Sequence, residues 1–286
     1  MRTFHDCLPC FVRQTLDAAR MSAPGDETLC ERVLRRVLGL LAEMDLARSP
    51  PEMAQEIHRI LRAESGCADP YAGVKQRFND LARSMMPALR GRLERAEDPY
   101  VAAVRLALAG NIIDFGTRSA LDEREVEETV ERSMHEPIHG STIDRLREAT
   151  DAAGSIAYVG DNAGELFFDR LFIERLGPDR ITFVVRGAPV INDATRDDAR
   201  EAGLDELVRV IDTGSDAPGA LLSQAGADFQ AALDEAELVI SKGQGNYETL
   251  SDLARPVFFL LRAKCPVIAA HIGVPEGTLV LEGRNL

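Results

Sequence analysis

The apolar positions of this chain follow one period up to about residue 150 and another beyond it. In DETLCERVLRRVLGLLAEM, residues 26–44, the positions Leu29, Val33, Val37, Leu40, Leu41 and Met44 recur three or four apart and form one stripe on a helix. SPPEMAQEIHRIL opens on Ser49, Pro50 and Glu52, which predicts a capping box with proline at the first helical position. DPY occurs at Asp69 and again at Asp98. Each time the aspartate is expected to cap a helix that the proline begins, and we read this as repeated punctuation, not duplication. No clear β-run is seen in residues 1–150, which predicts an all-helical N-terminal domain.

From about residue 154 short apolar runs alternate with helical stretches. SIAYVG, ITFVVRG, ELVRVID, ELVISKG and PVFFLLRA read as strands. AGELFFDRLFIERLG, DATRDDAREAGL and GADFQAALDEA read as helices. KCPVIAAHIGV reads as a helix begun by Pro266 and ended by Gly273, and TLVLEG as a last edge strand. Alternation of this kind predicts an α/β domain over residues 151–286 with a parallel, doubly wound sheet.

The chain has 286 residues, enough for one large or two modest domains, and its 45% hydrophobic and 28% charged content is that of an ordinary globular protein. A formal net charge of −14 argues against nucleic acid or an anionic membrane as partner. No run approaches the roughly 18 apolar residues of a spanning helix. MRTFHDCLPC is not a basic segment followed by an apolar one, so a cytoplasmic location is expected. Five scattered cysteines do not suggest a disulfide framework. Nothing in the sequence sets the oligomeric state.

Ligands of open parallel sheets bind beyond the carboxyl ends of the strands. That rim should gather Asp161 and Asn162, then Arg186, Asn192 and Asp193, then Asp212, then Ser241, Lys242 and Gly243. The carboxylate of Asp161 and the amide oxygen of Asn162 are hard donors suited to Mg²⁺ or Mn²⁺, but both residue types also cap helices. Asp193 completes such a site or, with Asn192, caps the next helix; two such stretches on one rim favour a shared metal. Glu165 and Asp169 lie one turn apart, where either orients a water or solvates the helix, and solvation is favoured for Asp169. Lys242 with Gly243 and Gly245 before a helix suits a phosphate, although neither a Walker loop nor GxGxxG is present. Asn111 and Asp114 interrupt an apolar run; they reach toward the rim or end a helix at Gly110. Cys7 and Cys10, with His5, read as a metal or redox pair or as two packed helix cysteines, with packing favoured.

The stretches CLPCFVRQTL, DPYAGVKQRFN, AGNIIDFG, GDNAGELFFD, INDATRDDA, SKGQGNYETL and KCPVIAAHIGV together resemble the damage-control phosphatase family, formerly domain-of-unknown-function family eighty-nine, and its microbial branch that begins with a CxxC segment. The resemblance implies a Rossmann-like three-layer α/β/α core behind the helical region. It implies a divalent-metal-dependent phosphatase of small phosphorylated metabolites, such as sugar phosphates or damaged phosphometabolites. Asp161, Asn162 and Asp193 would hold the metal, Mn²⁺ or Mg²⁺ with Co²⁺ and Ni²⁺ also admitted. Lys242 and Asn111 would face the phosphate, joined in substrate binding by Arg186 and by the N–H groups near Gly243 and Gly245. Glu165 is the first candidate for a general base. Asp114 falls inside a matching motif with a less defined role, and the CxxC receives none. Two rivals stand beside this reading. One is an S-adenosylmethionine-dependent carboxyl methyltransferase, against which the acidic first loop and Arg186 argue. The other is a non-enzymatic metal-binding protein.

Overall fold

The structure, a computed structural model, describes residues 1–112 and 123–286. It opens with helices α1 (Cys7–Ser22), α2 (Glu27–Glu43) and α3 (Pro50–Ser65). The predicted capping box is present: Ser49 donates its backbone N–H and its hydroxyl to the Glu52 carboxylate, both at 2.8 Å. Leu29, Val33 and Val37 of α2 are buried with Phe11, Met53, Ile57 and Leu61 in a core of their own. Helices α4 (Ala72–Arg95) and α5 (Pro99–Ile112) follow. At the second DPY, Asp98 accepts from the N–H groups of Tyr100 and Val101 and Pro99 begins α5. At the first, Asp69 accepts from Tyr71, but the helix starts only at Ala72.

After α6 (Glu123–Ser133) comes β1 (Ile138–Gly140), a strand inside the half expected to be wholly helical. Three residues are too few to show a period, which is why the pattern hid it. The remaining elements are α7 (Ile143–Ala152), β2 (Ile156–Val159), α8 (Glu165–Leu176), β3 (Ile181–Val185), α9 (Arg196–Glu201), β4 (Arg209–Asp212), α10 (Ala227–Glu235), β5 (Leu238–Lys242), α11 (Gln244–Leu250), β6 (Val257–Arg262), α12 (Pro266–Ile272) and β7 (Leu279–Arg284). They form one seven-stranded sheet of order β1-β7-β6-β5-β2-β3-β4, parallel except where β7 meets β6. The expected edge strand β7 therefore lies inside, covered by β1. As predicted, Pro266 opens α12 and Gly273 ends it in the left-handed conformation.

Strand residues alternate between two cores. Ile156, Tyr158, Phe183 and Ile240 face one layer of helices, while Ala157, Val159, Val184 and Val239 face the other. The first layer includes α4 and α5 as well as α8: Phe78, Met85, Val104, Ala107 and Leu108 pack with Leu166, Phe168 and Phe172. Helix α5 buries Ala102, Ala103, Val104, Leu106, Ala107 and Leu108 on successive turns, because its run is apolar on nearly every side. The packing changes near Tyr71, between the core of the first three helices and the core that holds the sheet. Among the described residues no helix is long and apolar enough to cross a membrane.

Candidate active site

The chain runs outward from β2 through β3 to β4, then returns to place β5 on the other side of β2. That reversal opens a crevice beyond the carboxyl ends of β2 and β5. Asp161, just after β2, and Gly243, just after β5, meet across it. A Cβ on Gly243 would stand 1.8 Å from Asp161 Oδ2, and the residue has φ +79°, so only glycine leaves room for the carboxylate.

Both acid-rich stretches had capping as their alternative, and the structure gives the caps to other groups. Helix α8 has Gly164 at its N-cap and no side-chain cap bond. Instead the Gly164 N–H donates to Asn79 Oδ1 of α4 at 2.7 Å. Helix α9 is capped by Thr195, whose N–H and hydroxyl both reach Asp198 at 2.8 Å. Asp161, Asn162 and Asp193 are left for the crevice. Backbone bonds from Ala163 N to Asn192 O, 2.9 Å, and from Ala194 N to Asp161 O, 2.8 Å, zip the two loops together as an isolated antiparallel bridge between Asn162 and Asp193.

Asp161, Glu165 and Asp193 bring three buried carboxylates to this point. Burial, and then the charges of Glu165 and Asp193, push the Asp161 carboxyl up to about 8. Burial likewise raises Asp193, although the Arg186 guanidinium beside it pulls the other way. Arg186 is fully buried, donates Nε to Asp193 Oδ2 at 2.6 Å and places Nη2 3.7 Å from Asp161 Oδ1. Its Nη1 and Nη2 have no hydrogen-bond partner. Asn162 turns its Nδ2 toward Asp161 Oδ2, 2.7 Å, and Glu165 Oε2, 3.1 Å; rotating the amide would present Oδ1 instead.

Lys242 does not face the crevice. Its Nζ is fully buried and donates to Ala107 O at 2.9 Å, Glu165 Oε1 at 2.6 Å and Asp169 Oδ1 at 2.5 Å. All three ammonium hydrogens are engaged by these acceptors, where a phosphate-facing role was expected. The last residue of a buried strand points into the helix layer, and here it meets the polar side of α8. Burial works to lower Lys242, but Asp169 and Glu165 outweigh it and hold the ammonium up at about 12. Burial works to raise Glu165, yet Lys242 keeps it below its ordinary value. Both Glu165 oxygens accept hydrogen bonds, Oε1 from Lys242 and Oε2 from Asn111 and Asn162, so Glu165 anchors these amides. Asp169, expected to solvate α8, is fully buried and also accepts from Tyr158 Oη at 2.7 Å.

Asn111 does reach the rim. Its Nδ2 bonds Asp161 Oδ2 at 3.0 Å and Glu165 Oε2 at 3.2 Å, and its Oδ1 accepts from Arg262 N at 3.1 Å. Both its amide hydrogens go to carboxylates, which it orients. The Gly243 N–H is taken by Leu260 O at 3.0 Å, and Gly245 lets the backbone approach Pro218 O, where a Cβ would stand at 2.3 Å. The Gly243 N–H is therefore not free for the anion cradle expected of it. Asp114 lies outside the described residues. Cys7 and Cys10 sit in the first turn of α1. Sequence reasoning missed Lys264, whose charge acts on both Asp161 and Glu165. Its one signal was a lysine directly after strand β6, on the same rim. Among the described residues no three His, Cys, Asp or Glu side chains are placed to hold an ion by themselves; the candidate set here is two carboxylates and an amide.

The damage-control phosphatase ARMT1-like domain matches residues 3–280 of this chain. A damage-control phosphatase of Archaeoglobus fulgidus is 35% identical over 280 residues, spanning 96% of either protein. Another from Pyrococcus horikoshii is 32% identical over 289 residues, spanning 98% of this chain and 97% of that one. The crystal structure of a DUF89 family protein from Pyrococcus horikoshii superposes with a TM-score of 0.91 at 32% identity over the whole of both chains. With the family match over residues 3–280, these relatives and the fold in agreement, the chain belongs to the ARMT1-like damage-control phosphatase domain family.

Proposed function

We propose that this chain is a divalent-metal-dependent phosphomonoesterase acting on small phosphorylated metabolites, sugar phosphates among them. The observation that carries the reading is the meeting of Asp161, Asn162 and Asp193 beside an Arg186 guanidinium with two unpartnered nitrogens. The residues fit a hard divalent cation. Three carboxyl groups crowd one buried point, and burial, with the charges of Glu165 and Asp193, holds Asp161 up at about 8 against Arg186 and Lys264. Asp161, Asp193 and a rotated Asn162 would hold Mn²⁺, Mg²⁺, Co²⁺ or Ni²⁺ through oxygen. When bound, such a cation supplies Lewis-acid polarisation of a phosphoryl oxygen.

The chain's own groups do the rest. Phosphoryl transfer spreads charge over equatorial oxygens, so positioned donors matter most. Arg186 offers Nη1 and Nη2 to that charge while its Nε stays fixed on Asp193. Lys264 adds a second cation from the end of β6. Asn111 and Glu165 keep Asp161 and Asn162 aimed, and Lys242 locks Glu165 from behind. Phosphate release from p-nitrophenyl phosphate and a panel of sugar phosphates, with each of the four metals, tests the reading. Activity should appear with at least one metal and vanish in Asp161→Ala and Asp193→Ala. A silent panel, or activity that survives a chelator, overturns it.

A further inference from the structure

Beside the segments that carry Gln244 and Lys264, three of the five cysteines gather. Cys7 and Cys10 stand three positions apart in the first turn of α1. Helix geometry sets their Cα atoms about 5 Å apart, inside the roughly 4.4–6.8 Å that a disulfide spans. Cys10 is exposed and Cys7 is half-buried. Cys265, at the N-cap of α12, joins them from the far end of the chain, close enough that its charge and that of Glu248 act on Cys7. Gln244 holds the Cys265 end of this group. Its Nε2 donates to Glu248 Oε1 at 3.1 Å and to Cys265 Sγ at 3.4 Å, and its Oε1 accepts from Lys264 N at 3.3 Å. All five cysteines are thiols. The group is not arranged as a metal cage, since among the described residues no three such side chains are placed to hold an ion.

We propose that Cys10 and Cys7 form a thiol–disulfide exchange site open to small disulfide oxidants such as oxidised glutathione, with Cys10 the sulfur that meets the oxidant and Cys7 the sulfur that resolves it. The Cys10 thiolate attacks one sulfur of the oxidant, the S–S bond breaks, and one glutathione thiolate leaves. The Cys7 thiolate then attacks Cys10 Sγ, forms the Cys7–Cys10 bond and expels the second glutathione. Two electrons pass from the protein sulfurs to the oxidant, and the two thiol protons end on the released glutathiones. The order follows access: exposure opens Cys10 to solvent, while burial shields Cys7 and holds its thiol above the ordinary value, against a hydrogen bond with the Phe4 backbone and with the charges of Glu248, Cys265 and Cys10 adding to the rise. This site does not depend on the phosphatase reading.

The test treats the reduced, full-length protein with oxidised glutathione, alkylates remaining thiols and reads intact mass and a peptide map. The wild type should lose the mass of two hydrogen atoms, carry a Cys7–Cys10 link and recover with dithiothreitol. Cys7→Ser should hold one glutathione on Cys10, about tenfold more than the wild type retains, because nothing resolves it. Cys10→Ser should react with neither outcome, and Cys265→Ser should still form the link. Five alkylated thiols in the treated wild type, a link that omits Cys7 or Cys10, or a stable glutathione adduct on wild-type Cys10 would each overturn the proposal.

Discussion

Replacing Lys242 by methionine separates a phosphate ligand from a buried counter-ion. The ammonium has no exposure and lies 2.6 Å from Glu165 Oε1 and 2.5 Å from Asp169 Oδ1, both also fully buried. Methionine fills nearly the same space but leaves two buried carboxylates without their cation. Removing one partner of a buried ion pair costs about 3–5 kcal/mol, largely from the charge left behind. With an m-value of about 3 kcal/mol/M for a chain of this size, the urea midpoint should fall by about 1 to 1.7 M. Adding Glu165→Gln and Asp169→Asn to the same chain removes the stranded charges and should restore stability to within about 1–2 kcal/mol of the wild type. Circular dichroism across a urea series measures all three proteins. An unchanged midpoint in Lys242→Met, or a triple variant no more stable than the single one, would refute the counter-ion argument. A loss of turnover with full stability would return Lys242 to the substrate.

Lys264→Ala should behave in the opposite way, keeping the urea midpoint while phosphate release falls by about 10²–10³, the loss typical of one preorganised contact to transition-state charge. Gly243→Ala should abolish that activity and lower stability together, because its Cβ would stand 1.8 Å from Asp161 Oδ2 in a backbone with φ +79°; a fully active variant contradicts the crevice geometry. Burial raises the Glu248 carboxyl to about 7, against the Gln244 hydrogen bond. Between pH 4.5 and 7 the folded state keeps a proton that the unfolded chain releases, so stability should fall as pH rises through that window, by up to about 3 kcal/mol. Glu248→Gln should flatten this slope in urea titrations run across the same pH range.

Local patterns carried much of the fold. The stripe of α2, the Ser49–Glu52 box, the turn from Pro266 to Gly273 and the alternation of strands and helices after residue 154 were all legible, because each depends on residues within a few positions of one another. The order of polar residues along the sheet rim was legible too, since parallel strands place their carboxyl ends on one side. Pairing across the chain was decided only in three dimensions. Strand β1 is too short to show a period, and it takes the edge that β7 was expected to hold. Asp193 reads as a metal ligand or as a cap, and only the structure shows Thr195 and Asp198 capping α9 between themselves. Lys242 reads as an anion ligand until Glu165, Asp169 and Ala107 O, 73 to 135 residues away, are seen to occupy it. Sequence marks which groups carry charge and on which rim they emerge. Which of those charges neutralise one another and which remain for a ligand depends on burial and on contacts between distant segments, and these exist only once the sheet and its helices have packed.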